Sequence, residues 1–484
     1  MILAKKYMSI SMFFLITIIA FSGGILLIRR PTLFILFAIA CVIIYYCSLN
    51  RFDVLFLALA TMVLFIPWQK PGLGGWGIPT GRVFDIPVPF TIVIIASFAF
   101  LFVLMPLNKT LKPFYAIPVF KFFVIFGISG LISSVLGLNL SNSLWFLLFK
   151  LFIPSVCIFY ISYRACKNRE IFEHILSGLV FTIFLIALYA LFEFFTKTNP
   201  IESFFASRFP AQYFQSTYVE VISRYRRVAG TLGCPTFLGS VLVTGTCLSA
   251  GLFAYSKTFS KKITFFTIIF VNLIVLLLTV NRGGVFGLII AVLVFAFIIK
   301  KQNYWKLLFF VFLFSLITSL AIVLVVAFDV VMPRFTLENI LSGPSTQHRL
   351  NAYVVTVKFL KYNPLFGIGL ANFQEMYHNV MTPFAMEVPT MDNTFLNILS
   401  SMGIIGLVTF SVLILSLLKE IILTFRRLTL SEIFPVYVSL FCALIGMLFS
   451  FVFYNALGYL APSFLFWSLA GMGTAVAQNS GFLK

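Results

Sequence analysis

Apolar runs of about 18 to 22 residues recur along the whole of this chain, each long enough to cross roughly 30 Å of hydrocarbon. This feature constrains the fold more than any other. A bilayer core offers the backbone no water, so each run must satisfy its own N–H and C=O groups as a helix. The alternating strands of about ten residues that mark an outer-membrane barrel are absent. Composition excludes a soluble chain: 61% of the 484 residues are hydrophobic and 10% are charged, against about half and a quarter in soluble domains. The expected fold class is an all-α polytopic integral membrane protein, one multi-span domain over 1–484.

The hydropathy pattern predicts about 14 transmembrane helices. They lie near 8–28, 32–49, 54–67, 88–107, 117–138, 141–163, 171–195, 230–254, 263–280, 283–299, 307–328, 393–418, 434–452 and 456–476. The start, "MILAKKYMSISMFFLITIIAFSGG", imitates a signal peptide, but so many spans follow that it reads as an uncleaved first helix. The net charge of +20 would suggest nucleic acid on a soluble protein. Here it sorts by side. With the N-terminus inside, the inner loops collect Lys5, Lys6, Lys109, Lys112, Lys261, Lys262, Arg426 and Arg427 among others, while the short outer loops hold only Arg29, Arg30 and Arg282. That asymmetry puts both termini in the cytoplasm. No nucleic-acid partner is expected; membrane lipids are.

Three outer segments are long, roughly 68–87, 196–229 and 329–392, and loops of that length in a compact protein are usually functional. In the third, "STQHRLNAYVVTVKFLKY" offers Ser345 or Thr346 as an N-cap. Leu350, Tyr353, Val354, Val357 and Leu360 follow at helical spacing, and Pro364 forces a stop. That describes an amphipathic helix lying on the outer face. "NPLFGIGLANF" then supplies a turn with two glycines before a second short helix.

Arg282 sits in "LLLTVNRGGVFGLII", between two spans separated by almost nothing. It either snorkels at a tight hairpin or binds an anion, with Gly283 and Gly284 letting the backbone come close. Arg208, Arg224, Arg226 and Arg227 crowd the second long loop; Arg349 lies in the amphipathic helix beside His348, with Arg334 near in sequence. Basic residues on the outer face run against the charge trend, so an anionic partner is expected. A diphosphate suits forked guanidinium groups. Lys150 falls near the middle of its span, where an unpaired ammonium costs at least about 2.5–3.5 kcal/mol. It needs a substrate or a carboxylate, and Glu193 is the nearest acid by depth. Asp392 opens "DNTFLNILSSMGIIGL", with Asn393 beside it. It is either a helix cap or a group that works on substrate, and Glu387 and Glu375 are reserve carboxylates. His174, His348 and His378 are too few and too scattered for a metal site. The seven cysteines show no metal or disulfide spacing.

Four stretches together resemble the O-antigen polymerase and ligase superfamily: "RVAGTLGCPTFLGS", "TVNRGG", "HRLNAYVVTVKFLKYNPLFGIGLANF" and "DNTFLNILSSMGIIGL". The resemblance runs over roughly 230–410. It implies a membrane-embedded, metal-independent glycosyltransferase of the GT-C class that takes glycans from undecaprenyl diphosphate at the periplasmic face. No cofactor is implied. The superfamily's ligases carry His directly before the Asn of the closing motif; Asp392 stands there here, which looks more like a polymerase. The residues' own chemistry and expected side assign catalysis to Asp392, Arg282 and Arg349, and substrate binding to Arg208, Arg224, Arg226, Arg227, His348, Lys150 and Asn393. The partners implied are a lipid-diphosphate-linked glycan donor and acceptor, with a chain-length regulator as a further candidate. The competing readings are a ligase with a different acceptor, and a transporter or flippase, whose site would lie at the midplane.

Overall fold

The computed structural model describes residues 52–65, 79–83, 86–89, 114–166, 168–201, 203, 221–222, 225–300, 313–325, 344–373, 375–377, 391–429 and 431–479. In chain order its principal elements are α1 (Phe52–Phe65), a ribbon of β1 (Pro79–Val83) and β2 (Ile86–Pro89), α2 (Phe120–Leu136), α3 (Leu140–Ala165) and α4 (Arg169–Thr196). A second, minimal ribbon pairs β3 (Val221–Ile222) with β4 (Tyr225–Arg226). Then come α5 (Pro235–Tyr255), α6 (Phe259–Leu278), α7 (Arg282–Ile299), α8 (Leu313–Val325), α9 (Pro344–Leu360), α10 (Thr394–Leu428), α11 (Phe434–Ser450) and α12 (Leu460–Gln478). The protein is an all-α polytopic membrane protein; the two ribbons are local turns outside the helical bundle.

Seven of the described helices are long and apolar enough to cross a membrane, and α2, α8 and α11 are apolar but shorter. The spans expected at 117–138 through 283–299 and from 393 onward each fall on one of these helices. Those expected at 8–28 and 32–49, and the one at 88–107 beyond its first two residues in β2, lie outside the described residues, so a total of 14 is not reached. The span expected from 230 starts instead at Pro235. Gly230–Leu232 forms a 3-10 turn, and Gly233, at φ 67°, breaks it before Pro235 opens the helix.

Short connections make neighbouring helices antiparallel. Residues 256–258 join α5 to α6, 279–281 join α6 to α7, and 429–433 join α10 to α11. Helix ends therefore gather at two opposite faces. In their apolar windows α5 and α12 are 89% and 94% buried, whereas α6 and α7 are under half buried. The first two form the centre and the others meet lipid. With no water between tails and helices, close contact replaces the hydrophobic effect as the force that joins spans. Thus a side chain at Gly287 on α7 would strike the carbonyl of Gly446 on α11 at 2.6 Å.

The helix that carries "DNTFLNILSSMGIIGL" is not continuous. At Gly403 the backbone turns to φ 66°, ψ −167°, splitting α10 into a short first part and a long second part. The break strands the carbonyls of Ser400 and Ser401 and the N–H groups of Ile404 and Ile405. The "NPLFGIG" loop takes all four. Ile368 and Gly369 donate to Ser400 and Ser401 at 3.0 and 2.9 Å, and Ile404 and Ile405 donate to Pro364 and Leu365 at 3.0 and 3.2 Å. Irregular backbone near a membrane is tolerated where protein satisfies it in this way. Gly367 (φ 70°) and Gly369 (φ 88°) supply the left-handed turns that the insertion needs.

Helix α9 starts at Pro344, one residue before the expected caps. It packs Ala352, Val355 and Phe359 against Phe373, Met391 and Leu396. The expected apolar stripe of Leu350, Tyr353, Val354 and Val357 is the exposed face. Two apolar faces, not one, make this helix a spacer between the protein body and its surroundings.

Candidate functional site

The site is built at one end of the bundle, from the ends of α4, α6 and α11 and the starts of α7, α10 and α12. Glu193, 2% exposed near the end of α4, accepts the N–H groups of Ala229 and Gly230 at 3.1 and 2.6 Å. Asn199 donates to the Gly230 carbonyl at 2.9 Å, and Thr231 donates to the Leu64 carbonyl at 2.8 Å. These bonds fix "RVAGT" as a rigid bracket. Its leading residue, Arg227, donates from Nε to the Thr279 carbonyl at 3.0 Å, where α6 ends. Glu193 therefore serves backbone at this end; the sequence offered it as a partner for Lys150.

The α6–α7 turn is three residues long. Val280 takes φ 50°, Asn281 precedes the helix, and Asn281 Nδ2 donates to the Thr236 carbonyl at 3.2 Å. Arg282 is thereby the first residue of α7. Gly283 follows because a Cβ there would sit 2.7 Å from Cβ of Phe453. The Phe453 ring lies 5.4 Å from the Arg349 guanidinium, a cation–π contact. Burial pulls the Arg349 guanidinium below the usual arginine range. Asp392 acts in the opposite direction, and Arg282 and Arg227 act with burial. Four charged groups from α7, α9, the 225–234 bracket and the head of α10 thus share one electrostatic field. Among the described residues Arg349 Nε is buried with no hydrogen-bond partner.

Asp392 is not the cap of α10. Asn393 is: its side-chain oxygen accepts from the N–H groups of Phe395 and Leu396 at 2.9 and 3.1 Å. The carboxylate one residue earlier is left to act on its charged neighbours. The head of α10 is held by the α11–α12 loop. The Thr394 N–H donates to the Phe451 carbonyl, the Thr394 hydroxyl donates to the Tyr454 carbonyl, and the Ala456 N–H donates to that hydroxyl, at 2.9, 2.9 and 2.8 Å.

That loop, 451–459, is the part that sequence reasoning missed. The aromatic run "FVFYNALGYL" between two spans was the available signal. Tyr454 donates to the Ser240 hydroxyl at 2.7 Å, and Tyr459 packs on Phe237 with ring centroids 4.4 Å apart. Other expected residues fall elsewhere. Lys150 lies in a π-helical stretch, Leu147–Phe152, with Nζ 5.6 Å from the Phe146 ring. At about 1.5 Å per residue it is some way down α3 from the arginine end. Arg226 is in β4 and His348 in α9, described by their backbone alone; Arg208, Arg224 and Glu387 lie outside the described residues. Glu375 is exposed. Among the described residues no three His, Cys, Asp or Glu side chains gather as metal ligands.

The O-antigen ligase family model matches residues 266–411. The match supports the resemblance to the O-antigen ligase and polymerase superfamily. It contains Arg282, Arg349 and Asp392, and it leaves out Arg227 and the α11–α12 loop that the fold brings to them. No curated protein matches the chain.

Proposed function

We propose that this chain is a membrane glycosyltransferase that polymerises lipid-diphosphate-linked oligosaccharide repeat units, the carrier being undecaprenyl diphosphate. The arginine end of the bundle faces the periplasm of a bacterial inner membrane, and both termini are cytoplasmic. The observation that carries this reading is the field at the partly buried Arg349, on which Asp392, Arg282 and Arg227 all act. Three guanidinium groups in a partly desolvated place suit a diphosphate, which they bind bidentately. They are also placed where negative charge grows as the bond breaks.

In the proposed step an acceptor sugar hydroxyl attacks the anomeric carbon of the donor. The new C–O bond forms as the bond from that carbon to the diphosphate oxygen breaks, and the lipid diphosphate leaves with the electron pair. The arginines hold its charge. Asp392 accepts a hydrogen bond from the attacking hydroxyl and takes its proton. The acid is set among cations, so its main contribution is to orient that hydroxyl.

A ligase that moves the glycan to another acceptor uses the same donor half, and the matched family bears that name. Purified protein given only lipid-linked repeat units separates the two. A polymerase makes a ladder of products. A ligase makes none until a second acceptor is supplied. Failure to release lipid diphosphate under either condition overturns the glycosyltransferase reading.

A further inference from the structure

Tyr459 ends the α11–α12 loop and stands at the N-cap position of α12, where its side chain makes no capping bond. Its ring is fixed between elements. Phe237, at the first turn of α5, packs on it at 4.4 Å and packs on Tyr454 at 5.5 Å. The loop that carries it is hydrogen-bonded to the head of α10 through Thr394, two residues after Asp392. A tyrosine set among packed side chains ordinarily pairs its hydroxyl, as Tyr454 does with Ser240. Among the described residues nothing bonds the Tyr459 hydroxyl. Burial, then Cys234 and Asp392, push this phenol above its ordinary value, so it remains an O–H donor.

We propose that Tyr459 is an acceptor-binding residue of the transferase: its hydroxyl donates a hydrogen bond to a sugar oxygen of the acceptor, beside Asp392. The inference rests on the glycosyltransferase reading and assigns the half of the site that the arginines do not serve. The arginines and Asp392 are charged, and the donor diphosphate satisfies cations. A neutral sugar needs a fixed neutral donor, and Tyr459 is positioned for it on a rigid aromatic stack. Tyr459→Phe is the informative substitution, because it keeps the stack and removes only the hydrogen bond.

The assay uses purified full-length protein, lipid-diphosphate-linked repeat units as donor, and the same repeat unit on a short water-soluble aglycone as acceptor. Tyr459→Phe raises the acceptor KM about 2- to 10-fold, the loss expected of one neutral hydrogen bond. The donor KM, the release of lipid diphosphate to water and the thermal midpoint stay unchanged. Tyr454→Phe is the structural control: it lowers the thermal midpoint, because the bond from Tyr454 to the Ser240 hydroxyl is lost, and leaves the acceptor KM alone. An unchanged acceptor KM in Tyr459→Phe overturns the inference and leaves the transferase reading intact, whether or not the midpoint falls. A wild-type protein that releases no lipid diphosphate overturns both.

Discussion

Two arginines at opposite ends of the bundle make the same contact with an aromatic ring and differ in everything else. Arg169, at the start of α4, lies 5.4 Å from the Tyr255 ring. It donates to Glu173 at 3.0 Å, to the Tyr255 hydroxyl at 2.9 Å and to Glu432 at 2.8 Å. Lys257 also pairs with Glu432. This arginine is bonded to three side chains of its own protein and joins α4, α5 and the α10–α11 turn. Arg349 also lies 5.4 Å from a ring, that of Phe453, but its buried Nε has no partner among the described residues. Like-charged Arg282 and Arg227 crowd it. A charge bonded to side chains of three neighbouring elements is a fastener. One that is desolvated and left with a buried donor to fill has capacity for an anion.

The largest effects should fall on this contrast. Arg282→Ala and Arg349→Ala each lower kcat/KM by at least about 10- to 100-fold, the loss of one charge-assisted bond to a diphosphate, and more where that bond strengthens in the transition state. Both proteins still insert and are recovered from the membrane, so the loss is read as lost transfer and not as lost protein. Lys at either position restores activity only in part, because a point charge lacks the fork. Arg169→Ala behaves in reverse, keeping transfer and losing stability by about 0–1 kcal/mol per exposed pair. Normal transfer by the Arg349→Ala protein would erase the distinction between the two ends.

Asp392 sharpens the same contrast, since it is the acid set among the site's arginines. Asp392→Asn keeps the fold, because the capping is done by Asn393, yet leaves transfer nearly absent with donor binding retained. Asn393→Ala is the converse. It costs about 0.5–2 kcal/mol of stability as a lost cap. Full activity in Asp392→Asn would shift attention to Glu375 and Glu387 as acceptor-side acids.

Much of this was readable in the residues. Periodicity and length gave the spans, because a bilayer leaves a backbone one way to pair its own groups. The arginines at 227, 282 and 349 stood out because they oppose the charge asymmetry of the loops. Three things were not readable. Asp392 and Asn393 are both good caps, and only coordinates tell which one faces the amide groups. Nothing in the spacing revealed the break at Gly403, since a glycine in an apolar helix is ordinary until a loop needs the space. Tyr459 looked like part of a span, because its role comes from Phe237, more than 200 residues earlier, and such pairing has no local signature.

The break in α10 separates an arginine-bearing end built around irregular backbone from an opposite end built of continuous helix. Gly403→Ala tests that difference. The residue takes φ 66°, and an added Cβ would meet the backbone of Leu365 and Phe366, which cannot swing aside. A loss of about 1–3 kcal/mol is expected from the strained backbone alone. The loop carrying Gly367 and Gly369 should loosen, with transfer falling further than the midpoint alone explains. An alanine protein as stable as wild type would mean that the loop does not depend on the break.

The smallest effect belongs to the end around Arg169. The Glu432 carboxylate is held below the usual carboxylate range by hydrogen bonds from Lys257 and then Arg169. A depressed carboxylate contributes stability that is fully present above its unfolded value, near 4.5, and is lost as pH falls through the lower folded value. The wild-type thermal midpoint should therefore drop slightly on acidification below about 4.5, and Glu432→Gln should lack that part of the drop. The group is solvent-exposed, so the difference between the two proteins should shrink as salt is raised and its screening shortens the reach of surface charges. Transfer at neutral pH should not change. A Glu432→Gln protein that folds normally but fails to transfer glycan would show that the end opposite the arginines does more than fasten helices.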